Sequence, residues 1–466
     1  MSQKRNLTEG NILEKIIKLA IPIMGTAFLQ MTYNMTDMLW IGRGVGSSAV
    51  AAVGAAGFYI WLAAGIILLS QIGAGVGVAQ SIGREDIKTA KSFARNAIQL
   101  NFFIALLYGV ILILFKNPLI GFFRLGDVNV TNMAKDYLTI IALGTVFSFA
   151  NPVFTGIFNG GGESKHPFLI NAIGLLTNMI LDPVLILGIG PFPALGVKGA
   201  AIATITAQLI VTIIFILYIK NKSSYFSGFK FYIMPQWNYI KRIVKMGYPV
   251  ALQNAMFTIF AMIIARIIAL WGPVPIAVQK IGSEIESISW MTSNGFATAL
   301  SAFVGQNYGA GKWKRIYKGY FTSLGIMSGI GILASLILIF CGRPIFTLFF
   351  PNEEETIFQG IIYLKILGLS QLFMCIEITT AGAFNGLGKT LPPSLIGIIF
   401  TGLRIPAALI LSKPEILGLK GVWWSISVSS IFKGIVLLAW FLWLVYRQPE
   451  IRERLRSRFI ARQTEG

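Results

Sequence analysis

Two acids and an amide stand out because their surroundings are so apolar. Asp37 lies in the run Phe28–Ile41, and Asn178 and Asp182 lie in the run Phe168–Leu187. An ionised carboxylate inside a bilayer costs about 2.5–3.5 kcal/mol on insertion scales, so each needs a reason to be there. Asn178 and Asp182 are four residues apart and share one face of a helix. Pro183 follows Asp182 and frees a backbone carbonyl nearby. With Asp37 added from another helix, the oxygens would form a pocket able to take a proton, since burial and a like-charge neighbour favour the protonated carboxyl. The same hard oxygen donors suit a sodium ion. Two plainer readings stay open at this point: Asp37 facing an outer aqueous mouth, and Asn178 acting as glue between helices.

The second half of the chain carries a different set. Glu286 and Glu377 sit in apolar runs, with Lys280 and Glu284 spaced to neutralise each other on one helical face. Arg266, Lys365, Arg404 and Lys433 are also embedded. Glu286, Glu377 and Arg404 are candidate cavity residues, and Met31, Tyr33 and Trp290 are candidate contacts for apolar cations, for which adaptable Met and aromatic faces are suited. Lipid contact or packing is the plainer role for any one of these apolar side chains. Arg404 and Arg266 are either cavity counter-ions or snorkelling side chains. His166, the single histidine, falls in a predicted turn and is read as a solvated loop residue.

The elements that position these residues follow from composition. Of 466 residues, 55% are apolar and 12% charged, and the mean hydropathy is +0.71. Soluble domains carry about 25% charged residues, so this is a polytopic membrane protein. The apolar runs predict twelve helical spans, at 12–40, 49–79, 89–115, 132–158, 165–189, 195–219, 239–270, 276–307, 317–341, 356–384, 390–412 and 418–446. Most of the 39 Lys and Arg lie at the N-terminus, in the even-numbered loops and in the tail. That bias explains the net charge of +20 without nucleic acid and places both termini in the cytoplasm. The tail arginines (447, 452, 454, 456, 458 and 462) serve as a topology anchor, with contact to anionic lipid as the alternative. No cleavable signal is visible before the first span, and two cysteines give no metal or disulfide framework.

The chain is also written twice. Val78-Ala79-Gln80-Ser81-Ile82-Gly83 recurs as Val304-Gly305-Gln306-Asn307-Tyr308-Gly309, and Asn159-Gly160-Gly161-Gly162 recurs as Asn385-Gly386-Leu387-Gly388. Gly196-Val197-Lys198-Gly199 returns as Gly418-Leu419-Lys420-Gly421, and Pro22 and Pro183 match Pro249 and Pro406. Six spans per copy make the repeats parallel, related by an axis along the membrane normal. The expected organisation is a lobe at 1–220, a linker at 221–238, a second lobe at 239–446 and a basic tail at 447–466. The paired prolines are inherited architecture first and hinges second.

Together these residues resemble the multidrug and toxic compound extrusion (MATE) family over essentially the whole chain. The duplicated Gln-x-x-Gly and Asn-Gly-x-Gly turns, and the run Val-Gly-Gln-Asn-Tyr-Gly-Ala-Gly-Lys at 304–312, carry the resemblance. It implies an all-α membrane protein with two pseudo-symmetric six-helix bundles around a central cavity. It also implies an antiporter that exports amphipathic, chiefly cationic, small molecules against inward H+ or Na+ flow, with no other cofactor. A monomer in a prokaryotic plasma (inner) membrane is expected. The chain looks DinF-like, because the NorM-like branch carries a glutamate in the seventh helix where this chain has Phe257. The DinF-like pattern instead matches Asp37, Asn178 and Asp182 as the cation-coupling residues. Thr204 is a weaker match, and Pro22 is the expected hinge of the first helix.

Two other classes would leave different marks in the sequence. A lipid-linked oligosaccharide flippase of the wider superfamily would gather cations such as Arg266, Lys280 and Arg404 around a pyrophosphate. An intramembrane enzyme is opposed by the lack of His-Glu-x-x-His and Gly-x-Ser-x-Gly, and ATP coupling by the lack of a phosphate-binding loop. Comparing the copies places coupling in the first bundle. Asp37 aligns near Ile264, Asn178 with Thr401 and Asp182 with Ile405, while Glu286 and Glu377 align with Ile60 and Asn151.

Overall fold

A computed structural model describes residues 6–220, 233–450 and 452. Most of the expected linker, and tail arginines 454, 456, 458 and 462, lie outside the described residues. Within them the chain is helical, as the long apolar runs require: a bilayer offers no water to unpaired backbone groups, and a helix satisfies its own.

The first copy forms α1 (Ile12–Gly44), α2 (Ser47–Gly83), α3 (Ile87–Leu114), α4 (Lys116–Gly121), α5 (Val128–Leu143), α6 (Thr145–Gly160), α7 (Lys165–Leu187) and α8 (Val197–Lys220). The second forms α9 (Trp237–Ala269), α10 (Pro273–Gly309), α11 (Trp313–Phe340), α12 (Gly342–Phe349) and α13 (Glu354–Gly368). It is completed by α14 (Gln371–Gly386), α15 (Leu391–Leu411) and α16 (Leu419–Tyr446). Packing repeats with the sequence. α2 lies on α3 and α6, and α7 on α8; in the second copy α10 lies on α11 and α14, and α15 on α16.

Among the described residues, eight helices are long and apolar enough to cross a membrane unaided, and two bent pairs raise the number to ten. The polar, charge-bearing α1 and α10, at 33 and 37 residues, complete the twelve. The predicted spans 132–158 and 356–384 are not continuous: α5 and α6 meet at 54°, and α13 and α14 at 46°. Gly144 stands at the first break, where a Cβ would come within 2.4 Å of the Ile205 side chain. The short helices α4 and α12 also went unforeseen, being too brief to leave a periodic signal.

The repeated turn motifs have a backbone cause. Gly162 and Gly388 close the Asn-Gly-x-Gly turns at φ 79° and 72°, a left-handed conformation that costs a side chain-bearing residue about 1–2 kcal/mol. At the turn into α3, Asp86 caps the helix by accepting from the Thr89 N–H at 2.9 Å. Hydrogen bonding to Thr89 holds its carboxyl below the usual aspartate range.

The compact units are not divided at the linker. One contains residues 21–251, the other residues 6–20 and the chain from Leu252 onward. The chain thus passes between units inside α1, after Ala20, and again inside α9, after Ala251. The start of α9 is built into the first unit: Ile243 is fully buried in its core. A Cβ on Gly247 would stand 1.9 Å from the Leu69 carbonyl oxygen, so only glycine lets α9 lie this close to α2.

Candidate functional site

Within the first unit, α1, α7 and α8 bring the predicted coupling residues into one region. Asp182 is fully buried, Asn178 is 1% exposed and Asp37 7%. The four-residue spacing on α7 places the Asn178 Nδ2 3.1 Å from Asp182 Oδ1, to which it donates. The Asp37 and Asp182 carboxyls are close enough to feel one another's charge. Thr204 of α8 is half-buried and shares a hydrogen bond of 3.0 Å with Tyr33 of α1. Beside them, Gln30, Tyr33, Asn171, Asn178, Thr204 and Gln208 line a small cleft.

Three oxygens define what this region can hold. Asp37 Oδ1, Asn178 Oδ1 and Asp182 Oδ2 are buried and have no hydrogen-bond partner among the described residues. Unpaired buried acceptors cost about 1–3 kcal/mol each, a cost that a proton or a monovalent cation removes. The plain alternative of an acid at an aqueous mouth does not fit the burial of Asp37. Tyr137 of α5, 4% exposed, interacts electrostatically with both acids and was missed in the sequence. A tyrosine inside an apolar span gives no signal of its own.

The second unit handles its charges differently. Glu286 of α10 accepts from the Tyr363 hydroxyl at 2.5 Å and from Gln371 Nε2 at 3.2 Å. Glu377 of α14 forms an ion pair of 2.9 Å with Lys433 of α16. Arg404 of α15 donates to Ser429 at 2.5 Å and to Ser430 at 3.0 Å, and is near enough to Glu286 and Glu377 to interact with both. Both acids therefore already have partners. Lys280 pairs with Glu284 at 2.6 Å on an exposed stretch, and Arg266 and Lys365 are exposed. Trp290 is 48% exposed, Met31 and Pro22 half-buried. His166 is not a loop residue: it lies in the first turn of α7, faces Glu163 and stacks on Tyr218 at 4.7 Å.

The family decides itself on the two copies. The MatE family profile matches residues 22–184 and 249–410, one block in each. The chain belongs to the MATE family. The probable multidrug resistance protein NorM of Thermotoga maritima is 30% identical to this MATE protein over 439 residues, 92% of each chain. The probable multidrug resistance protein YpnP of Bacillus subtilis is 26% identical over 438 residues, 94% of this chain and 96% of that one. In fold, the MATE chain matches the outward-facing conformation of a multidrug resistance MATE transporter of the MOP superfamily. The TM-score is 0.88 at 21% identity, over 96% of this chain and 98% of that one. It is a multi-span secondary transporter of the multidrug resistance type, not an enzyme.

Proposed function

We propose that this MATE protein is a DinF-like antiporter that exports amphipathic, chiefly cationic, small molecules against inward H+ or Na+ flow. The observation that carries the reading is the set of three unpartnered buried oxygens on Asp37, Asn178 and Asp182. Two carboxylates and one amide oxygen can take a proton or a hard cation such as sodium. Phe257 in place of a seventh-span glutamate supports the branch, although the Thermotoga relative is named NorM.

In the proposed cycle, the ion enters from outside and is held by Asp37, Asn178 and Asp182, with Thr204 fixing Tyr33 beside them. Loading reshapes α1 at Pro22 and lowers affinity for substrate on the outer side. Release inward resets the carrier. Coupling requires that ion and substrate prefer different states. Substrate contacts are assigned to Met31 and Tyr33 in the first unit and to Trp290, Glu286, Glu377 and Arg404 in the second. The carrier acts as a monomer in the plasma membrane with both termini inside.

Proteoliposomes loaded with a cationic dye and given separate proton and sodium gradients test this. Asp37→Asn is expected to lower gradient-driven export by about tenfold or more, the scale of a coupling free energy. Undiminished export by that variant would refute the mechanism. Orientation is checked by adding protease outside right-side-out vesicles, which must spare a C-terminal tag. The flippase reading is weaker, because Arg266, Lys280 and Arg404 share no partner and stand in different surroundings.

A further inference from the structure

The repeated Gln-x-x-Gly motif has no part in the cycle above, yet its second copy makes a dense set of contacts. Residues 6–10 precede α1 without helical structure, and the second unit grips them by their main chain. The Leu7 N–H donates to Gln306 Oε1 at 3.0 Å. The Leu7 carbonyl accepts from Asn307 Nδ2 and from Arg315 Nη2, each at 3.2 Å. Arg315 Nη1 donates to the Gly10 carbonyl at 2.9 Å, and Lys312 Nζ to the Thr8 carbonyl at 3.2 Å. The Arg315 Nε is steered by Asn307 Oδ1 at 3.2 Å. Behind the grip, Leu7, Ile16, Leu19 and Ala20 are at most 3% exposed.

A smaller main-chain grip, made by other positions, stands before α9. There the Gln236 N–H donates to Asn96 Oδ1 at 2.6 Å, and Gln99 Nε2 donates to the Ile233 carbonyl at 2.7 Å. Both partners belong to α3, in the first unit. The leading helix of each copy is thus seized by its main chain before it begins, in the unit built mostly from the other copy. Only two hydrogen-bonding side chains in the second unit's grip, Lys312 and Arg315, carry charge. Their counterparts in the first copy are Asp86 and Thr89, whereas the bonds before α9 come from Asn96 and Gln99, farther along α3, so the grip is built from different positions in the two copies.

We propose that the run from Gln306 to Arg315 is a socket that holds residues 7–10 throughout the transport cycle. It makes α1 a rod rooted in the second unit and carrying Asp37 in the first. The proposal rests on the ion-coupled reading above. With the start of α1 fixed, a displacement around Asp37 cannot be absorbed there. It must be taken up just beyond the crossing at Ala20, where Pro22 lacks the N–H that would stiffen the helix.

The test begins with Gln306→Ala combined with Arg315→Ala. Binding of ion and dye to the purified protein is expected to stay within about twofold of wild type, while gradient-driven export falls about tenfold and ions pass without matching dye export. A second arm joins Thr8→Cys to Lys312→Cys with a short bis-maleimide, in a background of Cys341→Ser and Cys375→Ala. The bridged socket is expected to transport, and to restore export when Arg315→Ala is added. Wild-type export rate and ion ratio in the double alanine variant would overturn the proposal, as would abolition of transport by the bridge. Should the double variant not insert, the bridge on the intact socket still decides. Failure of the wild type to couple dye to any ion gradient would instead strike at the underlying reading.

Discussion

Asn178 uses its two ends differently: its nitrogen donates to Asp182 Oδ1, and its oxygen has no partner among the described residues. Replacing it with alanine removes both. Asn178→Ala is expected to weaken ion binding by about tenfold or more, the scale seen when a ligand loses its orienting neighbour. Tyr33→Phe removes the bond to Thr204 and should cost about 1 kcal/mol of stability while leaving ion affinity within about twofold. Titration of both variants with sodium and with acid, followed by tryptophan fluorescence, separates a site from its scaffold; equal effects of the two would count against the assignment. The acids and the amide were legible in the sequence because charge in an apolar run is conspicuous. Tyr137, Tyr363 and Gln371 were not, because their types are ordinary in a membrane helix and only folding brings them to a carboxylate.

Helices set which of these charges are free. In the first unit α6 meets α8 through Asn151 and Gln208, whose side chains hydrogen-bond at 2.6 Å. The matching pair, α14 and α16, meets instead through Glu377 and Lys433. Removing one partner strands a buried charge, so Lys433→Met should lower stability by about 3–5 kcal/mol, and Glu377→Gln added to it should recover most of the loss. Thermal unfolding in detergent reads both, and a double variant no better than the single would show that the pair is not the cause. Helix number and order were readable from apolar runs and basic loops. The bends at Gly144 and before Gln371 were not, since a glycine in a membrane span marks close packing as often as a break.

At the scale of the molecule, the duplication was plain in the sequence, and the boundary it implied was not the one the contacts draw. Residues 12–20 differ from the run that follows them in carrying Glu14, Lys15 and Lys18, but charge near a helix end does not say which unit that end packs on. The exchange of opening stretches has a consequence for synthesis. Residues 6–20 leave the ribosome well before the chain from Leu252 onward with which they pack, and the first unit is not complete until Ala251 has been made. A nascent first half must therefore wait in the membrane with Ile16 and Leu19 unmatched. Each copy expressed alone, cut between 220 and 233, should be degraded, whereas the two co-expressed pieces should assemble and transport. Stable accumulation of the first half by itself, measured by pulse-chase, would show that the wait is unnecessary. The socket proposed for transport would thus leave neither unit a free-standing intermediate during birth.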